Sequence, residues 1–499
     1  MIYPILSAEE AAEFIQNGFT VGVSGFTSPG CPQVVPVAIA ERAKREHKAG
    51  RPFKINLFSG ASTSDHIDGE LTRADALNFR APYQSHADMR KAINANVIHY
   101  SDRHLSEMAQ EFRYGFYGKM DVAIVEAQSI TDDGEIVLGT SMGNTATWLQ
   151  MADKVIVEVN EQIPASVFGM HDVYMPLDPP RRREIPIYTP HDRVGSPTAH
   201  VDPKKVLGVV PTSLPISKEG AFTPVDDVTR AIGQNVCAFL VNELKQGRIP
   251  KEFLPLQSGV GNIANAVLDA LDKSDAIPPF EMYTEVIQDS VLELLESGKC
   301  TFASTCSMTF SANAMKEFFE KGEALHNKVL MRPSEISNNP EVVRRLGVIT
   351  MNTAIETDIY GHVNSTHVSG SRLMNGVGGS GDFTRNAYIS IFLCPSIKKD
   401  DCISTIVPMV SFPDHNPHSV DIIITDQGIA DLRGKDPVQS AEEIIEHAAN
   451  PVYRPLLHEY LHLAKNGHVI MNPDLALSFH STLMHEGDMR KTDFSKFMK

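Results

Sequence analysis

Phe253-Leu-Pro-Leu-Gln-Ser-Gly-Val-Gly-Asn-Ile-Ala-Asn265 reads as a strand that runs into a glycine turn and opens a helix lasting to about Leu271. A short apolar run, glycines that allow a tight reversal and a following helical period are the grammar of α/β proteins. The same order stands near the N-terminus, as the strand Phe19 to Ser24, the loop Gly25-Phe-Thr-Ser-Pro-Gly30 and a helical stretch from Pro36 to Arg45. More apolar runs follow at Phe53 to Phe58, Val122 to Glu126 and Lys154 to Val159, and a helical stretch at Val225 to Leu244. Short β-branched runs alternating with helices predict an α/β fold with mainly parallel sheets.

A second echo pairs Asp121-Val-Ala-Ile-Val-Glu126 and its acidic turn Asp132-Asp-Gly-Glu-Ile136 with Val348-Ile-Thr-Met-Asn352 and Asp358-Ile-Tyr-Gly-His-Val363. Two matches in the same order predict two similar open α/β domains related by internal duplication. The boundary is expected near residue 220, after Pro211-Thr-Ser-Leu-Pro215, giving domains 1–220 and 221–499. Prolines crowd Met175 to Pro203, which predicts an irregular segment. Ser7-Ala-Glu-Glu10 has capping-box spacing and predicts a helix from about residue 8 that ends by Asn17-Gly18.

With 499 residues the chain can bury two large cores. Its net charge of −17 argues against nucleic acid or an anionic membrane as partner, since both reward clustered Lys and Arg. The N-terminus lacks the basic start and apolar stretch of a signal peptide, and no run approaches the ~20 apolar residues of a membrane span. A soluble, cytoplasmic protein is expected. The six cysteines include no C-x-x-C, and His86, His362, His367, His415 and His418 show no H-E-x-x-H pattern, so neither disulfides nor a metal is expected.

Three elements can carry chemistry. The Gly259 to Ala264 turn opens a helix whose first N–H groups can hold an anion; it also matches a dinucleotide fingerprint, with Glu285 in the place of a ribose-binding acid. A bare strand-to-helix turn is the plain alternative. Glu285, in Phe280-Glu-Met-Tyr-Thr-Glu-Val-Ile-Gln288, stands at the carboxyl end of a strand, where open α/β sheets bind ligands, although a solvated or capping Glu has the same local sequence. The cluster Met374-Asn-Gly-Val-Gly-Gly-Ser-Gly-Asp382 can point several N–H groups into one concavity, or can be a surface loop. It lacks the Gly-Lys-Ser/Thr ending of a P-loop, and no G-x-S-x-G elbow occurs. Arg181-Arg182-Arg183 reads as a solvated loop.

Taken together, Gln257 to Ala266, Tyr283-Thr-Glu-Val-Ile-Gln288, Asn375-Gly-Val-Gly-Gly-Ser-Gly-Asp-Phe383 and Thr425-Asp-Gln-Gly-Ile-Ala-Asp431 resemble the acetyl-CoA hydrolase/transferase family within class I CoA transferases, and most resemble its succinyl-CoA:acetate branch. Ala81-Pro-Tyr-Gln-Ser85 and Gly25-Phe-Thr27 fit it too. The resemblance implies that Glu285 is a covalent nucleophile, and that CoA contacts Val260, Gly261, Asn262, Ile263, Ala264, Asn375, Gly379 and Lys399. It further implies that Asn338 or Asn339 places the acyl carboxylate. CoA is then a substrate, no cofactor is tightly bound, and a homodimer is expected. The reaction it implies moves CoA from succinyl-, acetyl-, propionyl- or butyryl-CoA to a carboxylate such as acetate. Acyl-CoA hydrolysis is the near alternative, and a nicotinamide-dependent dehydrogenase using the Gly259 turn is the distant one.

Overall fold

Five parallel strands in the order β4-β3-β2-β1-β5 begin the first sheet: β1 Thr20–Val23, β2 Ile55–Phe58, β3 Leu77–Ala81, β4 His99–Tyr100 and β5 Met120–Ile130. On the other side of β5 lie two more parallel strands, β7 (Ala152–Asn160) and β9 (Val206–Thr212). The antiparallel strand β6 (Glu135–Leu138) folds back on the end of β5, and β8 (Ala199–His200) pairs β6. The central run Asp121 to Ala127 is buried throughout, as a strand covered on both faces must be, which explains its continuous apolar sequence. Helix Val35–Lys48 lays Val35, Ala38, Ile39 and Ala43 into a core with Val21, Ile55, Leu57 and Val122.

The computed structural model describes residues 2–217, 225–465 and 467–498, so the expected boundary at 220/221 lies outside the described residues. By packing the chain forms two units: Met1–Ala221 with Glu281–Leu346 and Asn375–Asp382, and Phe222–Phe280 with Gly347–Met374 and Phe383–Lys499. Glu285, Asn338, Asn375 and Gly379 belong to the first unit. The Val260 to Ala264 turn and Lys399 belong to the second.

In the second unit β10 (Leu256–Ser258) pairs parallel with β16 (Ile349–Thr353), β16 with Ile389–Leu393, and that strand with Ile422–Ile424; Ile429–Asp431 closes the edge antiparallel. The succession β10, β16, Ile389–Leu393, Ile422–Ile424 repeats β1, β5, β7, β9. After β16 the hairpin Glu356–Asp358 with Val363–Asn364 repeats the fold-back of β5 on β6. The duplication expected from sequence is therefore present in strand order. A second core gathers Ile359, Val363, Phe392, Ile423, Ile444, Tyr453, Tyr460 and Phe479. No helix among the described residues is long and apolar enough to cross a membrane.

Two local expectations change. The capping box forms, with the Glu10 N–H on Ser7 Oγ at 3.1 Å and the Ser7 N–H on Glu10 Oε2 at 2.8 Å, yet the helix is only Ala8–Ala12. Ile15 is fully buried, and the chain tightens through Phe14 and Ile15 N–H bonds to Ala11 and Ala12 to deliver it there. The run from Phe253 is extended only over Leu256–Ser258, because Phe253 adopts φ 64° and closes a turn on the Pro250 carbonyl. The stretch 175–198 carries no regular element among the described residues, as its prolines predict.

Candidate active site

Glu285 follows strand β11 (Phe280–Tyr283). Its backbone is clamped by the end of the neighbouring strand β13 (Cys300–Thr305): its carbonyl accepts the Cys306 N–H at 2.9 Å and the Thr305 hydroxyl at 3.1 Å. Just before it, the Thr284 N–H donates to Ser304 O at 2.9 Å and the buried Tyr283 hydroxyl to Ile336 O at 2.6 Å. The main chain is fixed on both sides, so the carboxylate leaves the strand end in one direction.

That carboxylate meets two things. Asn338 Nδ2 donates to Glu285 Oε1 at 3.0 Å. Gly379 lies so close that a β-carbon there would stand 2.3 Å from Asn338 Nδ2 and 2.6 Å from Glu285 Oε1. Here glycine is required by close approach, not by backbone angle. Burial raises the Glu285 carboxyl to about 7; the Asn338 hydrogen bond pulls it down and the charge of Asp382 pushes it up. Of the two asparagines left open by sequence, Asn338 makes the contact. Asn339 instead donates to Glu335 O at 3.2 Å and accepts the Glu341 N–H at 3.0 Å.

The glycine loop is held by Tyr83, Gln84, Asp102 and Ser106. Asp102 accepts the Val377 N–H on both carboxylate oxygens at 2.9 Å, and Gln84 donates to the Asn375 carbonyl at 3.3 Å. Asn375 Nδ2 donates to the Tyr83 hydroxyl at 3.2 Å. Burial, above all, pushes Tyr83 up to about 12, so it stays a neutral phenol. Asp382 closes the loop by accepting the Ser106 hydroxyl at 2.5 Å and the Ser106 N–H at 3.0 Å. Tyr83 and Gln84 sit in the quoted Ala81 to Ser85 motif; Asp102 and Ser106 carry no local signal because they act through contacts some 275 residues away in sequence.

Cys306 lies one strand from Glu285. It is buried, its Sγ accepts the Gly143 N–H at 3.3 Å, and burial followed by the Glu285 charge pushes the thiol far up. All six cysteines are free. The histidines that invited a metal reading do structural work: His86 caps helix Ala87–Asn94, and His362 pairs with Asp358 at 3.0 Å. Arg182 is bound to its own unit through Leu177 O, Gln110 and the Tyr114 hydroxyl.

In the second unit the expected glycine turn opens a helix. Gly261, at φ 104°, caps helix Asn262–Asp272 without a side-chain hydrogen bond, so the first helical N–H groups of Asn262, Ile263 and Ala264 have no intrahelical acceptor. Val260 is half exposed at the tip, at 51%. Lys399 heads a hairpin turn in which Lys399, Asp400 and Asp401 all take positive φ, and its ammonium side is exposed.

Family models for the acetyl-CoA hydrolase/transferase N-terminal domain and C-terminal domain match residues 3–211 and 315–461. The chain belongs to the acetyl-CoA hydrolase/transferase family.

Among relatives in this family, a propanoyl-CoA:succinate CoA transferase of Escherichia coli K12 is 48% identical over 97% of this chain and 98% of its own. A succinyl-CoA:acetate CoA-transferase of Clostridium kluyveri is 46% identical over 97% and 90%, and an acetyl-CoA hydrolase of Saccharomyces cerevisiae is 40% identical over 97% and 95%. Among solved structures, a 4-hydroxybutyrate CoA-transferase from Porphyromonas gingivalis superposes with a TM-score of 0.63 at 23% identity, covering 92% of this chain and 97% of its own. At that identity the likeness speaks for the fold alone. None of these relatives is a dehydrogenase, so the nicotinamide reading of the Gly259 turn falls away.

Proposed function

We propose that this CoA transferase uses Glu285 as its covalent nucleophile and moves CoA between a short-chain acyl-CoA and a free carboxylate. Its acyl group is succinyl, acetyl, propionyl or butyryl, and its acceptor a carboxylate such as acetate. The enzyme class rests on the full-length relatives. The carboxylate chemistry rests on one observation: a half-buried Glu285 held by Asn338 at 3.0 Å and faced by Gly379.

A Glu285 oxygen attacks the thioester carbonyl, the C–S bond breaks, and an acyl-glutamyl anhydride and CoA thiolate result. The thiolate then attacks the glutamyl carbonyl, expelling the acyl group as a carboxylate and leaving a glutamyl-CoA thioester. The incoming carboxylate attacks that thioester to give a new anhydride and thiolate, and thiolate attack on the acyl carbonyl frees Glu285. Two half-reactions imply ping-pong kinetics. Asn338 Nδ2 is positioned to hold the glutamyl oxyanion formed twice in the cycle, a donor of the kind worth ~3 kcal/mol. The same reading gives CoA contacts at the Val260 to Ala264 turn, Asn375, Gly379 and Lys399. CoA is substrate rather than resident cofactor, and the same reading carries a homodimer in the cytoplasm.

Incubation with acyl-CoA, borohydride reduction and peptide mass spectrometry test the intermediate. A mass change confined to the Glu285 peptide, and missing in Glu285→Ala, is the expected result; active enzyme with an unmodified Glu285 peptide sinks it. A hydrolase reading is favoured by the 40% identical relatives of that name. It predicts acyl-CoA loss at the same rate with and without acetate, whereas the transferase predicts a rate that depends on acetate.

A further inference from the structure

We infer that Asp382 is the positioning residue of the nucleophile, its carboxylate fixing the Asn338 amide with the NH2 edge turned toward Glu285. The inference rests on the transferase reading and adds to it a residue that touches no reacting atom.

Asn338 Nδ2 lies 3.0 Å from Glu285 Oε1 and 3.5 Å from Asp382 Oδ2. One amide nitrogen thus faces two carboxylates with its two hydrogens. The amide oxygen, Asn338 Oδ1, is buried without a hydrogen-bond partner among the described residues. While Glu285 is protonated, its hydroxyl can donate to the amide oxygen as well as its carbonyl can accept from the amide nitrogen, so Glu285 alone does not fix the edge before it ionises. Turning the amide over beside two carboxylates would set its oxygen against both, so Asp382 decides the choice. Asp382 can do this because it is itself immobile. It is fully buried, and both of its oxygens are occupied by Ser106, the second residue of helix Leu105–Arg113, whose N-cap His104 supplies no side-chain hydrogen bond. The helix start therefore fixes Asp382, Asp382 fixes Asn338, and Asn338 fixes Glu285.

Tyr83 and Cys306 both feel the Glu285 charge and are pushed, above all by burial, toward their neutral forms. Asp102 is engaged by the Val377 N–H, and His104 packs against Gly381. The Asp382 charge also raises the Glu285 carboxyl, which makes the attacking oxygen more basic.

The rate of CoA exchange rises with pH as Glu285 ionises, and the pH of that rise is the readout. In Asp382→Asn a carboxamide can accept the turned-over amide, Glu285 then loses the Asn338 hydrogen bond that outweighs the Asp382 charge, and the rise is expected to move to higher pH while the rate on the alkaline plateau falls at least tenfold. Ser106→Ala removes one hydroxyl contact but keeps the charge, so its rise stays at the wild-type pH; a purely structural cap would make the two variants alike. Asp382→Ser carries the same expectation as Asp382→Asn should that variant not fold. A rise at or below the wild-type pH in Asp382→Asn or Asp382→Ser overturns the positioning role while the wild-type glutamyl-CoA adduct stands. Absence of that adduct in the wild type overturns the covalent reading itself, and the positioning role with it.

Discussion

A carboxylate that attacks a thioester must be ionised, poorly solvated and held still, and Glu285, in the role proposed for it, meets the last two conditions at a cost in the first. Its folded-state carboxyl is raised to about 7 from an ordinary 4.5, so the native state holds a proton that the unfolded chain has released across that window. Stability from this group is therefore complete below about pH 4.5, falls as pH rises through 7, and stays lower above. Glu285→Gln keeps the Asn338 contact and removes the charge. It is expected to unfold at higher denaturant than wild type by ~1–2 kcal/mol at pH 8 and to coincide with it at pH 4. A gain independent of pH in chemical unfolding would refute this account. Gly379→Ala is the converse case: its β-carbon would press on Asn338 Nδ2 and Glu285 Oε1. Exchange activity should drop by a factor of ~100 or more with the melting temperature nearly kept, as expected when a reacting group is displaced by about 1 Å.

At the scale of elements, the site is built where helices are tied across sequence distance. Helix Leu105–Arg113 ends in Arg113, which pairs with Glu335 at 2.7 Å and Asp178 at 3.0 Å; Arg113 and Glu335 are both 5% exposed. Glu335 belongs to the short helix Ser334–Ser337, whose C-cap is Asn338. This buried pair sets the helix that presents the amide to Glu285. Glu335→Ala leaves Arg113 with the half-exposed Asp178 and the Thr147 hydroxyl at 3.3 Å, and thermal or urea unfolding should show a loss of ~3–5 kcal/mol. A loss below ~1 kcal/mol would mean that Asp178 suffices. None of this pairing was legible in the sequence. The residues are isolated charges in unremarkable helices, whereas the strand-to-turn-to-helix units were legible because hydrophobic period and glycine position are local properties.

For the whole molecule, a net charge of −17 repels a polyanionic substrate, and the proposed CoA contact Lys399 is an exposed cation set on a turn of three positive-φ residues. Lys399→Ala should raise KM for acyl-CoA about fivefold, corresponding to ~1 kcal/mol for a solvated charge contact, while changing kcat less. An unchanged KM in steady-state kinetics would remove Lys399 from the CoA site. The sequence by itself determined the α/β class, the duplication and the three segments that hold Glu285, the glycine turn and the glycine loop, because period, turn chemistry and motif order are written along the chain. It left open Asn338 against Asn339, and gave no sign of Asp102, Ser106 or the role of Asp382. That Asn338 rather than Asn339 lies beside Glu285, and what Asp102, Ser106 and Asp382 hold, was decided only by tertiary structure, since a carboxylate's partners are chosen by which strands and helices meet in space. It is that dry setting, and not the identity of residue 285, that brings its carboxyl to about 7.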